Sequence, residues 1–190
     1  NVGQAAIGLT DYQNFSTIAE HLFKGDMNER IDAIKAIGRL ASPEVKQNLF
    51  NIVQNESEDL EVRLATIDSL DWKNDATVLI NTFRTTDNQG IQDAILNKAT
   101  TTDFTPATEM ALEQSFEEIY QGNLDESMKV SILEFFMEKK PEKVQTLLTV
   151  VPVDKFSPEL RKHIEFVQSM AKQKLQTQAP SQDATSSSSP

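Results

Sequence analysis

The hydrophobic residues of this chain recur mostly with the period of an α-helix rather than with the alternation of a β-strand. Between Asp11 and Lys24, apolar side chains stand at positions i, i+3, i+4, i+7 and i+8, which predicts one amphipathic helix with a single buried stripe. The residues of this stripe are Phe15, Ile18, Ala19, Leu22 and Phe23. Gly25 follows, and glycine commonly ends a helix. We therefore expect an introductory helix at the start of an all-helical chain.

A longer repeat begins at Arg30 and recurs 33 residues later, from Arg63. In both copies isoleucine or leucine occupies the apolar positions, and the small residue Ala36 matches Ser69. The same offset continues into the next segment, where Val45 matches Val78. Short side chains matter here because helices approach closely only where the side chains between them are small. The repeat therefore predicts a pair of helices as its unit.

Two further units follow with altered loops, and one more helix closes the array. Ile91–Ala99 and Pro106–Tyr120 form the third predicted pair, Ser127–Met137 and Pro141–Val150 the fourth, and Pro158–Lys174 the last helix. The apolar residues expected in the cores of the later helices are Met110, Leu112, Phe116 and Ile119, and then Leu160, Ile164, Phe166, Val167 and Met170.

Helix starts carry a recurring signal. Four prolines (Pro43, Pro106, Pro141 and Pro158) stand where a second or closing helix should begin, and proline suits the first helical position because its missing N–H costs nothing there. Ser or Thr precedes three of them, as a cap for the free N–H groups. Asn74 or Asp75 is expected to do the same for the second unit.

These patterns predict an all-α fold, a right-handed α-solenoid of about four antiparallel helix pairs. Residues 1–27 form a capping helix, and residues 28–175 form the repeats with a closing helix. Residues 176–190 contain no aliphatic side chain larger than alanine. Such a Ser-rich tail cannot bury enough apolar surface to offset its ordering entropy, so we expect it to be disordered.

The repeat resembles the HEAT-like (armadillo-type) helical repeats. Arg30 and Arg63 stand early in the first helix of their units, with Lys129 as a counterpart in the fourth, and the segment Leu60–Ala65 follows several acidic residues. Tetratricopeptide repeats have a similar period, but their Trp, Gly and Tyr signature positions are not recognisable. The resemblance implies an extended protein-binding scaffold, with no catalytic residues to transfer.

The acidic composition of the chain disfavours two classes of partner. The chain has 190 residues and a net charge of −11, from 18 basic and 29 acidic side chains. Such a surface repels phosphate backbones and anionic lipid headgroups, so we expect neither nucleic acid nor direct membrane contact. No run of 18 apolar residues is present. The chain begins with Asn rather than Met, and we expect a processed or excised piece of a cytoplasmic or periplasmic protein.

Two features are candidate contacts for a partner. Glu109, Glu113 and Glu117 recur at i+4, with Glu118 beside them, which predicts a stripe of carboxylates along one helix. This stripe is either a solvated face or a contact for a basic partner, with acid–base chemistry as a third alternative. Trp72, the only tryptophan, lies at a helix–helix turn, where it either contacts a partner or covers the end of the helix pair.

No catalytic, metal or cofactor site is expected. The chain has no cysteine, and His21 and His163 have no second histidine at ligand spacing. Asp68, Asp71 and Asp75 do not have the spacing of a Ca²⁺ loop, and a turn between two helices suits Asp71–Asp75 better. Nucleophile-elbow, phosphate-loop and zinc-protease motifs are absent from the sequence as well. We therefore expect a protein without enzymatic activity.

Charge is distributed unevenly along the chain. Residues 56–126 carry 16 acidic and 4 basic side chains, whereas residues 127–175 carry 6 acidic and 9 basic ones. The leading hypothesis is a protein–protein interaction scaffold whose partner carries basic segments. Two alternatives remain: the sensor or structural portion of a larger, membrane-tethered regulatory protein, and a lyase-type enzyme, which has only the fold resemblance behind it.

Overall fold

In the computed structural model, residues 20–179 are described, and every regular element among them is helical. The all-α prediction is therefore confirmed for this part of the chain. The α-helices are α1 (Met27–Ile37), α2 (Pro43–Gln54), α3 (Leu60–Ser69), α4 (Thr77–Thr85), α5 (Gln89–Thr101), α6 (Pro106–Gln121), α7 (Glu126–Lys139), α8 (Glu142–Val150) and α9 (Pro158–Gln178). Short 3₁₀ turns occupy Gly38–Leu40 and Val153–Lys155.

The two ends of the chain are described only in part. Residues 20–24 are helical and Gly25 follows them, whereas the rest of the predicted introductory helix lies outside the described residues. At the other end α9 continues to Gln178, beyond the predicted end near Lys174. The first residues assigned to the tail are therefore helical, and residues 180–190 lie outside the described part.

Most helices begin where the sequence signals place them. Pro43 is the first residue of α2, and the Ser42 hydroxyl accepts a hydrogen bond from the Val45 N–H. At the start of α4 the capping side chain is that of Asp75 and not that of Asn74. Its carboxylate accepts a hydrogen bond from the Thr77 N–H at 2.8 Å. Pro141 was expected inside its helix but is the residue before α8, with αR backbone angles.

The chain divides into two compact units, residues 1–115 and 116–190. In the first unit, α1 packs on α3 and α3 packs on α5, so the first helices of successive predicted pairs are neighbours. The second helices α2 and α4 also pack on each other. Its core is aliphatic with a few large rings, and its most completely buried members include Ile34, Leu49, Ile67, Trp72, Leu79, Phe83, Ile91 and Ile95.

The second unit is built from α7, α8 and α9, each in contact with the other two. Its core contains a cluster of phenylalanine rings, in which Phe135 lies 5.1 Å from Phe116 and 5.0 Å from Phe136 between ring centroids. The buried Tyr120 hydroxyl donates to the Val151 carbonyl at 3.1 Å. Burial raises the pKa of this phenol.

A polar side chain early in a first helix repeatedly binds a carbonyl near the end of the preceding helix. These bonds run from Arg30 Nε to Leu22 O (2.6 Å), from Arg63 Nε to Val53 O (3.0 Å) and from Gln92 Nε2 to Thr86 O (3.3 Å). In the second unit, Lys129 lies over the Tyr120 ring instead. The last carbonyls of a helix have no partner within it, so each link satisfies an otherwise unpaired acceptor.

The register of the second helices differs by one residue from the predicted one. α1 and α3 begin 33 residues apart, at Met27 and Leu60, whereas α2 and α4 begin 34 residues apart. Val45 is therefore matched in burial by Leu79, which is fully buried, and not by the half-buried Val78. The segment from the start of α3 to the start of α4 contains the additional residue.

Three predicted core residues are instead exposed. Met110 is 59% exposed, Phe166 56% and Phe23 53%. In α6 the buried side chains include Leu112 and Phe116, and Met110 precedes Leu112 by two residues, which is about 200° around the helix. Phe166 stands in the same relation to the buried Ile164. Met110 and Phe166 therefore lie on the far side of their helices from these buried residues, and Phe23 is exposed next to the buried Leu22.

Candidate protein-interaction surface

Trp72 is part of the core and not of a partner surface. Its side chain is 1% exposed, its ring stacks on Phe50 with 5.4 Å between centroids, and its indole N–H donates to the Ile67 carbonyl at 2.8 Å. In this structure the Trp72 side chain is therefore not presented to solvent, where a partner could contact it. The alternative, a tryptophan that covers the end of its helix pair, describes its position.

The four glutamates of α6 do not form an exposed stripe. In the first unit, Glu113 is 7% exposed and Glu109 is half-buried. In the second unit, Glu117 forms an ion pair with Lys143 at 2.8 Å and is half-buried, and only Glu118 is exposed. Glu109, Glu113 and Glu117 share a face of α6 that is buried or half-buried. This face is therefore neither a solvated stripe nor an open contact for a basic partner.

Five exposed carboxylates of the first unit lie in two segments, each of which contains a loop and the start of the helix that follows it. Residues 55–61 lead into α3, and residues 87–93 lead into and begin α5. We call these two segments the acidic edge. Neither segment contains a lysine or an arginine. Its exposed carboxylates are Glu56, Asp59, Glu61, Asp87 and Asp93.

α3 and α5 pack on each other, and the polar contacts of Lys98 place their ends together. The Lys98 ammonium, near the end of α5, binds the Asp68 carbonyl at 2.6 Å and lies 3.5 Å from its carboxylate, near the end of α3. Asp68 and Lys98 stand at almost the same distance from their helix starts. Because the two helices differ in length by only three residues and pack on each other, we infer that their starts, and the loops that lead into them, lie on the same side.

The acidity of this edge has a local cause. Asp59 directly precedes α3, Glu61 lies in its first turn, and Asp87 precedes α5 by two residues. Carboxylates are favourable at these positions because the first N–H groups of a helix create a partial positive charge. Since two helices begin at this edge, charges that each helix selects for itself accumulate on one surface.

Two arginines lie beneath the acidic edge. The Arg30 guanidinium donates two hydrogen bonds to the Glu58 carboxylate, at 2.7 and 2.6 Å, in a largely buried pair. These bonds hold the pKa of Glu58 below its usual value and raise the pKa of Arg30. Arg63 is 4% exposed, and burial lowers its pKa, partly offset by the charge of Glu56.

We expect the Arg30–Glu58 pair to make stability depend on pH. A carboxylate whose pKa is depressed by folding contributes stability above its ordinary pKa, and this is lost as the pH falls through the folded value. At neutral pH, Glu58→Gln should lower the free energy of unfolding by about 1–2 kcal/mol. Urea titrations between about pH 6 and about pH 3 should show a smaller loss of stability for this variant than for the wild type. Parallel pH profiles for the two proteins would contradict this assignment.

The exposed side of the second helices is different in character. On α2 it carries Gln47, Asn51 and Gln54, and on α4 it carries Thr77 and Asn81, with Glu44 and Arg84 as the exposed charged residues of these two helices. The acidic edge differs from it because several carboxylates stand there without a lysine or an arginine in either segment.

Other kinds of site find no support in the described part of the chain. His163 lies 2.8 Å from Glu134 and His21 lies 3.9 Å from Glu29, each a single exposed pair. Within residues 20–179, no group of three or more potential ligands is arranged to hold a metal ion. None of the helices in that range combines the length and the apolar composition that crossing a membrane requires.

Comparisons with protein-family models, with curated proteins and with solved structures found no match to this chain.

Proposed function

We propose that this chain is a non-catalytic protein-interaction module whose partner carries basic segments, and that these segments bind at the acidic edge of the first unit. The observation that supports the proposal is the pairing of two neighbouring loops that present five exposed carboxylates without a lysine or an arginine between them. A partner with clustered positive charge would be attracted to this edge before contact and oriented by it.

We propose further that the helix pairs stack as an α-solenoid within each unit. The ordered contacts of α1 with α3, of α3 with α5, and of α2 with α4 favour this arrangement. The repeated bond from a first helix to the end of the preceding helix favours it too, since each link joins consecutive elements only. A repeat array places equivalent loops along one edge, which is the geometry that brings the two acidic segments together.

The proposal can be tested by removing charge at the edge without removing contacts from the core. The triple variant Glu61→Gln, Asp87→Asn, Asp93→Asn neutralises three exposed carboxylates. A matched control, Asp32→Asn, Asp103→Asn, Glu165→Gln, removes the same charge from exposed residues elsewhere. A fluorescent peptide of lysine and serine serves as the probe, and its binding is measured by anisotropy at low and moderate salt.

We expect the edge variant to weaken peptide binding by about tenfold or more, mainly through slower association, and the control to weaken it by much less. Equal losses in both variants would mean that the probe senses only net charge, and unchanged binding in the edge variant would overturn the proposal. Cross-linking in the native lysate supplies the second readout. Proteins captured by the wild type and the control, but lost with the edge variant, should contain segments rich in lysine or arginine.

A further inference from the structure

The contact between α3 and α5 is held by polar bonds at one end only. Where the two helices end, Lys98 binds the Asp68 carbonyl, and the Thr105 N–H binds the Lys73 carbonyl at 3.0 Å. Where they begin, no hydrogen bond or ion pair of the described structure joins residues 55–63 to residues 87–93. Both segments carry exposed carboxylates of the acidic edge, and like charges repel one another.

The preceding contact, between α1 and α3, has a bond at the corresponding place. Arg30 on α1 donates twice to Glu58, which lies two residues before the first residue of α3. The same guanidinium also binds the end of the preceding helix through Leu22. One side chain thus connects the helix before α1, α1 itself and the loop that leads into α3, and the start of α3 is held against α1.

Arg63 occupies the position of Arg30 in the next unit and lacks the second bond. Its Nε binds the Val53 carbonyl, as Arg30 binds Leu22, but its buried Nη2 has no hydrogen-bond partner. The residue two positions before α5, where Glu58 would be expected, is Asp87. Its side chain is one methylene shorter and is exposed. A buried guanidinium nitrogen without a partner is unfavourable, so this junction has an unmet donor, and no hydrogen bond or ion pair among the described residues links it to Asp87.

We propose that the α3–α5 contact is a hinge, fixed where the helices end and able to open at the acidic edge, because Asp87 is too short to form the ion pair that Glu58 makes. Apolar packing, including the fully buried Ile91, holds the helices together when the hinge is closed. Opening separates like charges and gives Arg63 access to water. The proposed hinge involves only residues of this chain, so it does not depend on the partner proposed above.

The substitution Asp87→Glu tests the missing ion pair. It adds the one methylene at constant charge, and it should slow hydrogen exchange of the amides of residues 92–95 by about five- to tenfold. Asp93→Glu is the matched control, since it makes the same chemical change on the same edge at a residue that is not the counterpart of Glu58. In an Arg63→Lys background, with folding checked by circular dichroism, the effect of Asp87→Glu should shrink.

Three outcomes would overturn the ion-pair assignment: no slowing with Asp87→Glu, equal slowing with Asp93→Glu, or full slowing in the Arg63→Lys background. A distance measurement tests the opening itself. The chain has no cysteine, so Ser57→Cys and Gln89→Cys allow nitroxide labels on the two exposed segments without background. Raising the salt from about 20 mM to about 500 mM screens the repulsion and should shorten and narrow the distance distribution.

A distribution that does not change with salt, or is already narrow and stays the same with Asp87→Glu, would show that no opening occurs. None of these measurements uses a partner or the basic peptide. Failure of peptide binding would therefore leave the hinge intact, and failure of the hinge would leave the peptide result as it stands.

Discussion

Replacing Trp72 with alanine is expected to lower the free energy of unfolding of the first unit by about 3–5 kcal/mol. The side chain is almost completely buried, its ring stacks on Phe50, and its indole N–H satisfies the Ile67 carbonyl. The substitution would leave a large cavity and an unpaired buried acceptor. Urea denaturation followed by circular dichroism measures the change without relying on the fluorescence of the residue that is lost.

Trp72→Phe separates the two contributions. It keeps an aromatic ring against Phe50 but removes the N–H, so we expect a loss of about 1–2 kcal/mol, well short of the alanine variant. If Trp72 were an exposed partner contact, the alanine variant would change stability by less than about 0.5 kcal/mol and its effect would appear in binding instead. That pattern would contradict the buried position.

Gly38→Ala should be the second most damaging substitution, with a loss of up to about 3 kcal/mol. The backbone of Gly38 is in the ordinary αR region, so the expected cost is steric and not conformational. A Cβ at this position would lie 2.6 Å from the Ser69 carbonyl oxygen and 2.8 Å from the Ser69 Cβ. The end of α1 would have to move away from the end of α3. Trp72, as the only tryptophan, reports unfolding of the first unit by fluorescence.

Gly90→Ala is the matched control for Gly38→Ala. Gly90 is exposed in the first turn of α5, and an added Cβ would approach only the Asn88 side chain, at 3.1 Å. Because alanine favours helix more than glycine does, we expect stability to stay unchanged or to rise by up to about 1 kcal/mol. A similar loss of stability in both variants would show that the close approach of Gly38 to Ser69 is not the cause of the loss in Gly38→Ala.

Signals that lie within a few residues predicted the all-α class and the positions of most described helices. Proline at or next to helix starts, capping side chains and helical periodicity located the described helices, because each depends on local backbone chemistry. The sequence predicted less well whether a single residue points toward the core or toward solvent. Met110 and Phe166 were assigned to the core from their hydrophobicity, but each lies about 200° from the buried stripe, and only the packing of neighbouring helices decides which stripe is buried.

The candidate surface could be predicted only in part. The acidic character of the middle of the chain is evident from the sequence, and the carboxylates before Leu60 were noticed as part of the repeat. The glutamates of α6 were chosen because they are regularly spaced, yet regular spacing does not show whether a face is exposed, and Glu113 is buried. Asp87 and Asp93 were missed because they join the carboxylates of residues 56–61 only once α3 and α5 are side by side. The absence of lysine and arginine from both segments was the signal that could have revealed the edge.

The bonds that join a first helix to the preceding helix end also bear on how such a chain could lengthen. In each of them the donor is a side chain, from Arg30, Arg63 or Gln92, whereas the acceptor is a backbone carbonyl. Every residue has a backbone carbonyl, so the acceptor does not depend on the sequence of the preceding helix. A duplicated helix pair would contain the donor side chain, and the preceding helix would already contain the acceptor. Under the stacking proposed above, insertion of a whole pair would then require no compensating substitution in its neighbour at this contact, and a chain built in this way could gain or lose pairs over evolutionary time.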